Sequence, residues 1–200
     1  MATSSKVNLN TVFSLAACQA LAQTVSILVV TLSALVGFNL ALDKTLATLP
    51  IAVISVGAAI TLIPASLVMK RFGRKKGFLL GINIGFTAGL LAALAIWQSN
   101  FWLFVFANML IGCYQGFSQY YRFAAADSVP DLYKSQAISW VLTGGVVAAL
   151  MGPTLAKLTK DLGDIPFLYA YLSISGISVL AILILSRLTL KAIVPTDFYD

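Results

Sequence analysis

Apolar residues run in six long blocks along the chain, and polar or glycine-proline stretches separate them. The blocks cover residues 11–38, 48–69, 78–97, 101–123, 135–155 and 167–188. Each is close to the ~20 apolar residues a helix needs to cross a bilayer. Strict alternation is absent, so the pattern predicts helices and not a barrel. Residues 1–10 read as a short polar tail, and residues 189–200 as a second tail or the start of a linker. Segments 39–46, 98–100 and 157–166 fall on one side of the membrane, and 70–77 and 124–134 on the other.

The connection at 70–77 fixes the direction of the bundle. Lys70, Arg71, Arg74, Lys75 and Lys76 crowd around Gly73 between the second and third blocks. A knot of charge that short belongs in water, and an excess of Lys and Arg marks the cytoplasmic side. The count agrees. Lys6, Lys70, Arg71, Arg74, Lys75, Lys76, Arg122, Lys134, Arg187 and Lys191 lie on that side, against Lys44, Lys157 and Lys160 on the other. Both termini are therefore expected in the cytoplasm, and the protein in the cell (inner) membrane.

Composition excludes other classes. The chain is 60% hydrophobic and 10% charged, with a mean hydropathy of +0.94, whereas soluble domains carry about 25% charged residues. It contains neither Glu nor His. No nucleotide-binding loop, metal-ligand cluster or nucleophile with a base is seen, so neither an enzyme nor a cofactor is expected. The net charge of +6 reads as a basic membrane face, not as a nucleic-acid surface. Cys18 and Cys113 fall inside spans and read as small buried side chains.

Polar residues inside the spans are the candidate chemistry. At 100° per residue, Asn108, Gln115, Gln119 and Arg122 share an arc of about 60° on the fourth span. Gln19, Gln23, Ser26 and Ser33 share about 80° on the first. Amides facing lipid would leave polar atoms unsatisfied, so both stripes should face the bundle interior or a wet cavity. Gln19, Gln23, Asn108, Gln115 and Gln119 are the substrate-cavity candidates; the alternative is that they only join helices. The third and sixth spans carry few such groups.

Two Pro-to-Gly stretches, Pro64 to Gly73 and Pro153 to Gly163, end the second and fifth spans with a similar apolar turn and basic residues. Three spans separate them, so the copies point in opposite directions. That suggests two inverted three-helix repeats.

Arg71-Phe72-Gly73-Arg74-Lys75 resembles the signature loop between the second and third helices of major facilitator superfamily transporters. Its Arg-x-Gly-Arg-Lys half matches; Ser66 and Lys70 stand where the signature has Gly and Asp. Asn108, Gly112 and Gly116 resemble an Arg-x-x-x-Gly-x-x-x-Gly run of the fourth helix, with Asn108 in place of the Arg linked to proton coupling. Ala148, Gly152 and Pro153 resemble the Gly-x-x-x-Gly-Pro motif of the antiporter branch, implying close packing and a helix bend at Gly152 and Pro153.

The resemblance implies an all-α membrane protein whose six helices form an amino-terminal half-bundle. It implies secondary transport of a small solute by alternating access, with Arg71, Gly73, Arg74, Lys75 and Asp127 at the cytoplasmic gate. The family uses twelve helices, so a second six-helix half is expected as chain continuation, homodimer partner or separate subunit. The competing expectation is a membrane scaffold or assembly subunit without transport of its own.

Overall fold

The computed structural model describes residues 9–188, and the expected tails at 1–8 and 189–200 lie outside them. Six spanning helices are present, long and apolar enough to cross a membrane. They are α1 (Leu9–Leu40), α2 (Leu49–Phe72), α3 (Arg74–Trp97), α4 (Phe101–Ser118) continued by the short α5 (Tyr121–Asp127), α6 (Lys134–Thr159) and α7 (Leu168–Ser186).

Several helices outrun the apolar blocks that predict them. The 32 residues of α1 extend ~48 Å at ~1.5 Å each, well beyond a hydrocarbon core of ~30 Å. Hydropathy sees only the part in lipid, while the hydrogen-bond ladder runs on. At the basic connection this difference removes the turn: α2 continues through Phe72, α3 starts at Arg74, and Gly73 alone lies between them. Its φ of 89° is the left-handed geometry that glycine adopts without steric penalty.

The expected fourth span, 101–123, is divided. Tyr120 N–H bonds to Phe117 O, a tightened turn that ends α4 near Ser118. The chain then resumes as α5, which reaches into the expected loop because Ala124, Ala125 and Ala126 are the strongest helix formers. Asp127 thus closes a helix instead of lying in a loop.

The contacts between helices follow a pseudo-twofold relation. The two most extensive pairs are α1 with α6 and α2 with α4; α3 packs on α4 and on α7, and α7 packs on α1. Exchanging the first span with the fourth, the second with the fifth and the third with the sixth maps this set onto itself. The only positive-φ glycines among the described residues are Gly73 and Gly163, the ends of the two Pro-to-Gly stretches. The bundle is therefore two inverted three-helix repeats.

Close backbone approach holds the pairs together. A Cβ on Gly57 of α2 would stand 2.3 Å from Met109 O of α4, and one on Gly112 of α4 would stand 2.1 Å from Ile54 O of α2. Each glycine thus accepts the other helix's backbone. On the other pair, α6 runs unbroken through Gly152 and Pro153, and Gly152 seats on Ile27 of α1. The third helix carries few polar groups and is packed: its Gly81 and Gly85 are hollows that receive Phe117 and Tyr114 of α4.

This packing sorts the glycines. Gly112→Val should abolish the folded chain in mild detergent, whereas Gly145→Ala and Gly176→Ala meet nothing within 4 Å and should raise stability by ~0.5–1 kcal/mol each. Thermal unfolding followed by size-exclusion monodispersity measures both. A folded Gly112→Val variant would show that the α2–α4 contact is not tight.

Candidate functional site

Away from the basic end, the interior is closed by a polar chain across three helices. Ser33 of α1 donates to Asn108 Oδ1 of α4 at 2.9 Å. Asn108 Nδ2 donates to Phe104 O at 2.8 Å, which fixes the orientation of the amide. The single Ser33 proton is then committed, so in the 2.8 Å contact with Tyr171 of α7 the tyrosine hydroxyl donates. Asn108, Ser33 and Tyr171 are fully buried, and the Tyr171 ring meets Phe104 edge-on at 5.2 Å. The structure thus places Asn108 in a dry, mutually bonded joint, apart from the glutamines of its stripe.

Those glutamines lie toward the basic end. Gln19 is 5% exposed, and its Oε1 is buried without a hydrogen-bond partner. Gln115 Nε2 is likewise buried and unpartnered. Gln23 and Gln119 are half-buried, Gln119 at the break between α4 and α5. One acceptor and one donor of carboxamides therefore stand unsatisfied on α1 and α4. Tyr114 OH, Arg74 Nε and Nη1, and Arg122 Nε are further buried atoms without a partner; the inner ring atoms of Tyr114 seat on Gly85 of α3.

At the basic end the connection engages two helix ends. Arg74 Nη2 forms an ion pair with Asp127 Oδ2 at the end of α5. The Arg74 side chain is 15% exposed and that of Asp127 is 50%. Neighbouring Lys75 donates from Nζ to Ser186 O at 2.9 Å and Leu188 O at 2.6 Å. An ammonium there meets the negative end of the α7 dipole and its orphan carbonyls. Arg71 stays exposed beside Phe72, its guanidinium 5.3 Å from that ring. Arg74 and Lys75 thus tie the start of α3 to both α5 and α7 through adjacent residues.

Reading the sequence alone missed Tyr171 and the contact of Lys75 with α7. Tyr171 lies in a span with few amides, and a hydroxyl on an aromatic ring is invisible to a search for polar stripes. The Lys75 acceptors are backbone carbonyls, which carry no residue signature.

The Ser33–Asn108 contact can be isolated by a double-mutant cycle. Asn108→Ala and Ser33→Ala should each lower stability by ~0.5–2 kcal/mol, the range for interhelical hydrogen bonds in membranes. The double variant should lose less than the sum. Fully additive losses in thermal unfolding would contradict the bond.

Comparison with known proteins agrees with this architecture. The profile of the Major Facilitator Superfamily matches residues 12–196. The riboflavin transporter RfnT of Brucella anthropi is 38% identical over 171 residues, which cover 85% of this chain and 43% of that transporter. The chain thus spans less than half the length of this relative. Six spanning helices in inverted repeats, the Arg-x-Gly-Arg-Lys connection and the matched profile lead to one conclusion: the chain belongs to the major facilitator superfamily.

Proposed function

We infer that the chain supplies one half of a secondary transporter working by alternating access, and that its solute is a flavin or a similarly planar, amide-rich heterocycle. The observation that carries this reading is the pair of unsatisfied carboxamide atoms, Gln19 Oε1 and Gln115 Nε2, on α1 and α4. Buried polar atoms without partners are unfavourable unless something completes them. The dione edge of an isoalloxazine alternates carbonyl acceptors with an N–H donor, the complement of a glutamine side chain. The relative named for riboflavin transport supports testing that solute first. Gln23 and Gln119 extend the same polar surface, and Asn108 holds its outer end in place.

A second six-helix half fits the two helices that remain least covered. Along α2, Val56, Ile60, Ile63 and Leu67 are exposed on a common face; along α6, Val146, Leu150 and Met151 are exposed as well. The two helices are pseudo-twofold mates, so a partner built on the same plan would meet both at once. The basic end is proposed to face the cytoplasm. Among the described residues it holds Lys70, Arg71, Arg74, Lys75, Lys76, Arg122, Lys134 and Arg187, against Lys44, Lys157 and Lys160 at the other end. Arg74 with Asp127 then forms a cytoplasmic latch within this half. Its strength depends on the burial of Arg74, since exposed ion pairs contribute little.

In a bacterial riboflavin auxotroph lacking its own importer, the chain co-expressed with its complementary half should restore uptake of labelled riboflavin. Gln115→Leu and Gln19→Leu should each reduce uptake about tenfold, the loss of one hydrogen bond to solute. Arg74→Ala and Asp127→Ala should each slow transport, and the double variant no further. Absence of uptake, or uptake indifferent to both glutamines, would overturn the proposed solute site. Additive losses at Arg74 and Asp127 would overturn the latch.

Orientation is tested separately. With Cys18 and Cys113 replaced, single cysteines at Lys76 and Lys160 should react with an impermeant maleimide from opposite sides, only the second from outside intact cells. Labelling of both from outside would reverse the reading.

A further inference from the structure

The basic end carries a lipid-shaped cleft that the transport reading does not use. Helices α6 and α7 touch each other little, while both pack on α1. They leave a half-buried stretch of α1 as the floor of a groove of about 720 Å3. Its floor is made of small residues, Ala16, Ala17 and Ala20, and its walls include Val147 and Leu183. Trp140 and Arg187 stand at its mouth.

Length identifies the occupant. From Phe13 to Leu21 the floor covers about 12 Å at ~1.5 Å per residue, most of the ~15 Å depth of one leaflet's hydrocarbon. Charge agrees with length. Of the two carboxylates at this end among the described residues, Asp127 is taken by Arg74 and Asp131 by Lys134. Lys75 is spent on the carbonyls of Ser186, which ends α7, and of Leu188 beyond it, one on each side of Arg187. Arg187 is left exposed just past the end of α7, without a carboxylate among the described residues. Trp140 beside it is the residue type enriched at membrane–water interfaces, and Phe13 braces its ring at 5.7 Å.

We propose that the α1–α6–α7 groove is a binding site for an anionic phospholipid of the leaflet at the basic end, one acyl chain lying on the alanine floor and the phosphate on Arg187. A zwitterionic lipid offers the same chain, but its own cation offsets the phosphate. The preference should therefore rest on Arg187 and the binding itself on the open floor.

Trp140 reports on its own groove. The chain has three tryptophans, and Trp97→Phe with Trp102→Phe leaves Trp140 alone. This variant, reconstituted in phosphatidylcholine vesicles, is titrated with phosphatidylglycerol or phosphatidylcholine brominated on the acyl chains. Brominated phosphatidylglycerol should quench Trp140 at about five-fold lower mole fraction, the advantage of one arginine at an anionic headgroup. Arg187→Gln should erase the difference, Arg187→Lys should retain it, and Ala17→Phe should reduce quenching by both lipids. Equal quenching by the two lipids in the parent would overturn the proposal, as would a preference that survives Arg187→Gln. Failure of either lipid to quench would also overturn it, and would show that protein covers the groove.

Discussion

The bundle depends on backbone meeting backbone between paired helices. Lipid tails are as apolar as leucine, so burial of apolar side chains does not drive two helices together in a membrane. What remains is dispersion at short range and hydrogen bonds that must be completed inside the protein. The reciprocal approach of Gly57 and Gly112 to the carbonyls of Met109 and Ile54 is the tightest case. Once α2 and α4 are in register, Tyr114 and Phe117 are aimed at their hollows on α3, and Asn108 is carried to Ser33 and Tyr171. The polar joint is thus downstream of the glycine contact.

Much of this was legible in sequence because membrane chemistry writes a coarse code. Six apolar blocks give six helices, and the cluster from Lys70 to Lys76 sets their alternation. The repeat ending at Gly73 and Gly163 has its physical counterpart in the positive φ of both residues. Helix ends were less legible, since hydropathy measures lipid contact and not hydrogen bonding. Gly73 shows the consequence: a connection expected over eight residues is one residue long, and Arg74 and Lys75 gain the first turn of a helix as their platform.

The stripe on the fourth span shows where periodicity misleads. It treats Asn108, Gln115, Gln119 and Arg122 as one face of one helix. The tightened turn at Phe117–Tyr120 interrupts that face, and of its members Asn108 finds its side-chain partner on the first span, backed by the sixth. Tyr171 completes the hydrogen-bond chain that holds Asn108, while nothing among the described residues completes Gln19 Oε1 or Gln115 Nε2. Side chains of one type on one helix thus separate into a bonded joint and a buried amide without a partner. The separation is set by neighbours distant in sequence, which a pattern along the chain does not contain.

The two ends of the bundle therefore differ in kind. Away from the basic end, the joint is neutral, fully buried and committed, with the donors of Ser33, Tyr171 and Asn108 Nδ2 each assigned. At the basic end, the contacts are charged and partly wet: Arg74 with Asp127, and Lys75 with the end of α7. A neutral buried joint has no favourable broken state in hydrocarbon, because its polar atoms would then lack partners. At the basic end the Asp127 carboxylate is half-exposed, so water can take its partner's place there, while Arg74 is mostly buried. The chain puts the irreversible kind inside the bundle and the exchangeable kind where water reaches.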